Sequence, residues 1–109
     1  MRRYDSQSVT INDQIYTQSI ILMPEYLSEW AVKSFSALEP SHFQRVRALC
    51  PEVVLLGTGA KIYFPTPALL TPLIDDGIGV EVMDTPAACR TYMILMAEGR
   101  KVAAALLFE

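Results

Sequence analysis

The residues best suited to chemistry lie where two predicted strands end, in the segments Gly57-Thr58-Gly59-Ala60-Lys61 and Asp84-Thr85-Pro86. If the two strands are parallel neighbours, the backbone N–H groups of the glycine turn and of the helix start lie on one rim, and such groups bind anions. Lys61 and Arg90 add two cations near these segments. The candidate ligand-binding residues for a small anion are therefore Gly57, Thr58, Gly59, Lys61, Asp84, Thr85 and Arg90.

The glycine turn matches no complete phosphate-binding motif. A dinucleotide fingerprint requires a further glycine where Ile62 stands, and a phosphate loop requires Gly-Lys-Ser/Thr where the chain has Ala60-Lys61-Ile62. The favoured alternative is that Gly57 and Gly59 only turn the chain sharply after a buried strand. For Asp84, a helix-capping role is favoured over pairing with a cation or acting as a general base.

The sequence offers no catalytic constellation. Cys89 near a helix start has the position of a nucleophile, but it needs a histidine, and the single His42 belongs to another predicted helix. Cys50 and Cys89 are both predicted to be buried thiols rather than a disulfide. With one histidine and two separated cysteines, neither a metal site nor a cofactor is expected.

Elements that must position the candidate site dominate the second half of the chain. Residues 53–57 are a short apolar run without alternation, which predicts a strand buried on both faces at the centre of a sheet. Helices are predicted over residues 67–75 and, after a threonine cap at Thr85, over residues 86–98, and strands are predicted over 80–83 and 102–108. Strand–helix–strand–helix–strand order indicates parallel pairing, so we expect the strand exits to share one border.

The first half predicts a hairpin around Asn12-Asp13 after a loose segment 1–7, then a strand over residues 19–23. Residues 25–37 are predicted to be mostly loop, anchored by Trp30. A helix is predicted from an N-cap at Ser41, with Gln44 completing a capping box, and ends before Pro51. The fold class is therefore α/β: one domain, residues 1–109, with a central mixed, partly parallel sheet, helices packed around it and an N-terminal β-hairpin.

The amino-acid composition limits the classes of molecule that the chain is expected to bind. Hydrophobic residues make up 51% and charged residues 19% of the chain, and the net charge is −3. This balance disfavours nucleic acid, which requires many cationic contacts, and it predicts an exposed apolar patch for another protein or a second copy. Apolar runs are too short for membrane insertion, and no signal peptide is recognised, so a cytoplasmic location is expected.

An ordered set of motifs resembles a known family. It comprises Val54-Leu55-Leu56-Gly57-Thr58-Gly59, Gly79-Val80-Glu81-Val82-Met83-Asp84-Thr85, Ala87-Ala88-Cys89-Arg90-Thr91-Tyr92 and Glu98-Gly99-Arg100-Lys101-Val102-Ala103-Ala104-Ala105-Leu106. The chain is similar to small Mth938-like proteins of unknown function from bacteria and archaea. Eukaryotic relatives of that family include a mitochondrial complex I assembly factor and an adipogenesis-associated protein.

The resemblance implies an α/β fold, no established enzyme activity and a protein-interaction role in assembly. It also implies a polar asparagine after the Arg-Thr-Tyr run, where this chain has Met93. Two functions therefore remain open. One is a non-enzymatic binding or assembly module, and the other is a small-molecule or anion binder, or an enzyme, that uses the strand exits.

Overall fold

The computed structural model describes all residues, 1–109. No helix in it has the length and apolar character needed to cross a membrane. The elements in chain order are β1 (Arg3–Tyr4), β2 (Val9–Ile11), β3 (Gln14–Tyr16), β4 (Ile20–Met23), β5 (Tyr26–Glu29), a 3-10 turn (Phe35–Ala37), α1 (Pro40–Arg47), β6 (Val53–Thr58), α2 (Pro67–Ile74), β7 (Gly79–Met83), α3 (Thr85–Ala97) and β8 (Val102–Leu107).

The main sheet has five strands in the order β5-β4-β8-β6-β7. Strand β6 pairs in parallel with both β7 and β8, whereas β4 is antiparallel to β8 and to β5. The predicted mixed, partly parallel α/β fold is confirmed. The prediction that residues 53–57 form the central strand is wrong, because β8 occupies the middle and the N-terminal strands extend the sheet beyond it.

Two apolar cores lie on opposite faces of this sheet. One contains Phe43 and Val46 of α1, Leu73 of α2 and Trp30. The other lies beneath α3 and the small sheet β1-β2-β3. Crossovers between parallel strands are almost always right-handed. Helix α2 connects β6 to β7, and α3 connects β7 back across β6 to β8, so the two helices cover opposite faces of the sheet. The parallel half of the fold thereby fixes where α3 begins.

Two segments of the first half are more regular than predicted. Within the expected loose N-terminus, Arg3 and Tyr4 pair with β2, and the Asp5 carboxylate accepts hydrogen bonds from the amides of Gln7 and Ser8. The predicted loop after Pro24 contains β5, which pairs with β4 as a hairpin. The β2–β3 hairpin is confirmed.

The ends of α1 also differ from the prediction. The helix starts at Pro40, and its N-cap is Glu39, whose side chain forms a reciprocal capping box with His42. Proline suits the first helical position, and this moves the cap two residues ahead of the predicted Ser41. Cys50 is exposed rather than buried, because its positive φ of 55° turns it out of the helical path.

Trp30 anchors its segment as predicted. The side chain is 3% exposed, and its indole N–H donates to the carbonyl of His42 at 3.1 Å. On α3 the buried residues are Thr85, Ala88, Cys89 and Tyr92, whereas Met96 near its end is 40% exposed.

Candidate functional site

The predicted strand exits meet at one border. The Thr85 amide donates to the Gly59 carbonyl at 2.9 Å, and the Gly59 amide donates to Thr85 Oγ1 at 2.8 Å. The same hydroxyl donates to the carbonyl of Leu107 at 2.6 Å. One threonine therefore ties together the ends of β6 and β8 and the start of α3. We call residues 57–59 with 84–85 the junction.

Gly57 is required by close packing at the junction. A Cβ at this position would lie 2.9 Å from Thr85 Oγ1 and 3.1 Å from Thr85 Cα. Gly59 has a φ of +96°, which favours glycine for a different reason. The favoured sequence interpretation, that these glycines serve the turn, agrees with this geometry.

Thr58 is fully buried and holds the next segment of chain. Its hydroxyl donates to the Lys61 carbonyl at 2.5 Å and accepts from the Tyr63 amide at 3.2 Å. The side chain thus fixes the backbone that follows β6. Asp84 caps α3, as predicted, by accepting from the Ala87 amide at 2.8 Å. The predicted threonine cap is wrong, because Thr85 is the first residue of the helix.

These internal bonds occupy the groups that an anion would use. The amides of Gly59, Tyr63 and Ala87 donate within the junction, and the Ala60 amide donates to the Glu109 carbonyl at 3.2 Å. The two predicted cations, Lys61 and Arg90, are exposed to solvent, whereas most of the other predicted site residues are buried. Anion binding by this set of residues stays a prediction.

The two candidate catalytic groups have structural environments. Cys89 is fully buried, and burial raises the pKa of its thiol to about 12. It therefore remains protonated at neutral pH and lacks the thiolate that nucleophilic attack requires. His42 Nδ1 accepts a hydrogen bond from the Glu39 amide at 2.9 Å and belongs to the α1 cap.

A feature that the sequence interpretation missed lies directly after the junction. Residues 62–64, here called the apolar segment, expose three consecutive hydrophobic side chains: Ile62 at 48%, Tyr63 at 46% and Phe64 at 75%. Tyr63 stacks on Phe35 with ring centroids 5.4 Å apart. The sequence does carry a signal for this feature. Bulky apolar residues follow one another between Lys61 and Pro65, in a connection where no side chain has to face the core.

The largest cavity, of about 800 Å³, lies on the other side of the β8 exit. It is an open groove whose lining includes Trp30, Lys33, Arg45 and Phe108. Arg45 donates to Ser28 Oγ at 2.8 Å and so holds the end of β5. None of the predicted site residues lines this groove.

Comparison with known proteins places the fold in a family. The chain is 36% identical over 106 residues to "NADH dehydrogenase [ubiquinone] 1 alpha subcomplex assembly factor 3" of Mus musculus, covering 95% of this chain and 57% of the mouse protein. The chain thus spans little more than half the length of that curated relative.

Solved structures agree closely. The NMR structure of a Xanthomonas campestris protein has a TM-score of 0.89 and 44% identity, covering 98% of this chain and 82% of that one. The solution structure of a Bordetella pertussis protein described as a Mth938-like domain has a TM-score of 0.86 and 32% identity, covering 98% and 84%. A family model described as "Protein of unknown function (DUF498/DUF598)" matches residues 1–107. The chain therefore belongs to the DUF498/DUF598 family.

Proposed function

We propose that this protein is a non-enzymatic, protein-binding module that assists the assembly of a larger complex. The apolar segment is the observation that carries the proposal. Contiguous exposed apolar residues are costly in water and mark interaction sites when they form a patch. Aromatic side chains are also enriched at the centres of protein interfaces, and two of the three exposed residues are aromatic.

The segment is held in place before any partner arrives. Thr58 fixes the backbone at Lys61 and Tyr63, and the Phe35 ring supports the Tyr63 ring. The Phe35 amide in turn donates to the Glu109 carboxylate at 3.0 Å. Binding by a pre-ordered loop loses less conformational entropy than binding by a mobile one, so this arrangement favours association.

The relatives support an assembly role in particular. The mouse relative is named an assembly factor of NADH dehydrogenase, and this chain matches somewhat more than half of it. We extend only the class of activity to this chain: contact with another protein during assembly. A cytoplasmic location and the identity of the partner are separate proposals, and the mitochondrial setting of the relative is not transferred.

Quantitative co-purification from the source cells tests the proposal. The double variant Ile62→Ser/Phe64→Ser removes most of the apolar segment without touching a buried position. The matched control is Ile74→Ser, which changes an equally apolar side chain that is 53% exposed at the far end of α2. We expect the double variant to lose its specific partner proteins while the control retains them.

Folding is checked in parallel by thermal unfolding of both variants. The proposal is wrong if the wild type, the control and the double variant recover the same amounts of partner proteins. Sedimentation of the purified wild type adds a second readout. If the only partner is another copy, the double variant shifts from dimer to monomer.

A further inference from the structure

A second cavity lies far from the junction, where α3 meets the turns of two hairpins. It has a volume of about 460 Å³, within the range of small-molecule sites, and ten of its thirteen lining residues are hydrophobic. The lining includes the methionines Met1, Met93 and Met96 and the tyrosines Tyr16, Tyr26 and Tyr92. Methionine side chains are flexible and polarisable, so such a wall adapts to varied apolar shapes.

Tyr92 is the one buried side chain with a polar group in the lining of this cavity. The residue is only 3% exposed, and its side chain joins the core beneath α3. Its hydroxyl makes no hydrogen bond within the protein. Every fully enclosed side-chain oxygen of the protein has a hydrogen-bond partner, so this hydroxyl must be accessible from the cavity that Tyr92 lines. Because the hydroxyl is accessible and bonds no other protein group, it is available to a ligand.

The ionisation of Tyr92 sets its role. Burial raises the pKa of the phenol to about 12, so the group stays protonated at neutral pH and acts as a donor. Among the lining side chains only Glu25 carries a formal charge, and it lies exposed at the edge. The Glu25 carboxylate would repel a carboxylate or phosphate ligand, and no lining side chain is cationic, so the lining side chains favour a neutral ligand over an anion.

We propose that this cavity binds a neutral, largely apolar small molecule that accepts one hydrogen bond from Tyr92 Oη through a carbonyl or ether oxygen. Met93 and Met96 on α3 form the apolar wall beside that donor. The site is independent of the apolar segment, which follows β6 at the other end of the parallel strands. Its failure or success leaves the proposed assembly function untouched.

The test uses acetophenone, its near-isostere cumene, which lacks the carbonyl, and benzoate as probes. Each is titrated into the full chain while amide NMR shifts of residues 92, 93 and 96 are followed. Cumene is the more hydrophobic probe, so the hydrogen bond is measured by how the acetophenone-to-cumene affinity ratio changes when the Tyr92 hydroxyl is removed. Benzoate should bind more weakly than both.

Two variants separate the hydroxyl from the rest of the cavity. Tyr92→Phe keeps the ring and should lower the acetophenone-to-cumene affinity ratio about three- to tenfold, the effect of one net hydrogen bond. Tyr63→Phe is the matched control on an exposed tyrosine, and it should leave the ratio at the wild-type value. An acetophenone-to-cumene ratio that Tyr92→Phe does not change would overturn the proposal, and so would the absence of acetophenone-induced shifts at residues 92, 93 and 96 in the wild type, which needs no variant. Self-association that Met93→Asn abolishes, with no probe-induced shifts, would assign the cavity to a second copy and also overturn it.

Discussion

Replacing Thr85 with valine should damage the junction although the two side chains have nearly the same shape. The hydroxyl accepts from the Gly59 amide at 2.8 Å and donates to the Leu107 carbonyl at 2.6 Å, and Thr85 is fully buried. Valine removes both bonds and admits no water to replace them. A buried group left without a partner costs about 1–3 kcal/mol, so two such groups predict a loss of about 3 kcal/mol or more.

Urea unfolding measures this loss. With an m-value of about 2 kcal/mol/M, typical of small proteins, a loss of about 3 kcal/mol lowers the midpoint by about 1.5 M. Thr85→Ser is the informative comparison, because serine keeps the hydroxyl and loses one methyl group, which costs about 1 kcal/mol. Thr17→Val, at an exposed position, controls for the exchange itself and should change stability by less than about 0.5 kcal/mol.

The order of stabilities decides the result. We expect wild type to be more stable than Thr85→Ser, and Thr85→Ser more stable than Thr85→Val, whereas hydrophobicity alone would make Thr85→Val the most stable of the three. A valine variant as stable as the serine variant would refute the assignment of Thr85 as the polar tie between β6, β8 and α3.

The remaining predictions concern the glycine contact and the thiols. Gly57→Ala should cost about 1–3 kcal/mol in urea unfolding because its Cβ would meet Thr85, whereas Gly79→Ala, whose nearest neighbour lies 4.0 Å away, should not; equal effects would count against the close approach. In the native protein a thiol reagent should modify exposed Cys50 quickly and buried Cys89 only after denaturation; rapid modification of both would contradict the packing. Burial raises the pKa of Cys89 from 9.0 to about 12, so its contribution to stability is full below pH 9.0 and is lost as the pH rises toward 12. Thermal unfolding across this window should show a smaller alkaline loss for Cys89→Ala than for wild type, and identical profiles would refute this cause.

The sequence was most informative where local and global signals coincide. Uninterrupted apolar runs identified β6 and β8, the glycines that end the preceding helix placed β7, and the intervening helices predicted the parallel pairing. The meeting of the strand exits followed from that topology. The middle position of β8 did not follow, because it depends on which edge the N-terminal strands join.

The errors have local physical causes. Strand β5 lies at the sheet edge and has a half-exposed pattern, so its sequence lacks the apolar run that marks a buried strand. Serine and glutamine spacing suggested a cap at Ser41, but Pro40 already occupies the first helical position. Anion binding at the candidate site stays a prediction, and the Gly59 and Tyr63 amides donate hydrogen bonds within the folded chain.

Two surfaces could not be derived from the sequence. The exposure of residues 62–64 depends on the path of a connection that no periodicity describes. The cavity at Tyr92 joins residues from the N-terminus, two hairpin turns and α3, which only the tertiary fold brings together.

Site-specific photo-crosslinking can show directly whether the apolar segment contacts another protein. A photoreactive phenylalanine analogue placed at Phe64, and in a separate variant at Ile74, is activated in the source cells, and covalent adducts are counted on a denaturing gel. We expect a discrete protein adduct when the analogue is at position 64, and the same adduct should be absent or much weaker when the analogue is at position 74. Equal labelling at both positions, or no adduct from either, would contradict the claim that the apolar segment is a protein-binding surface.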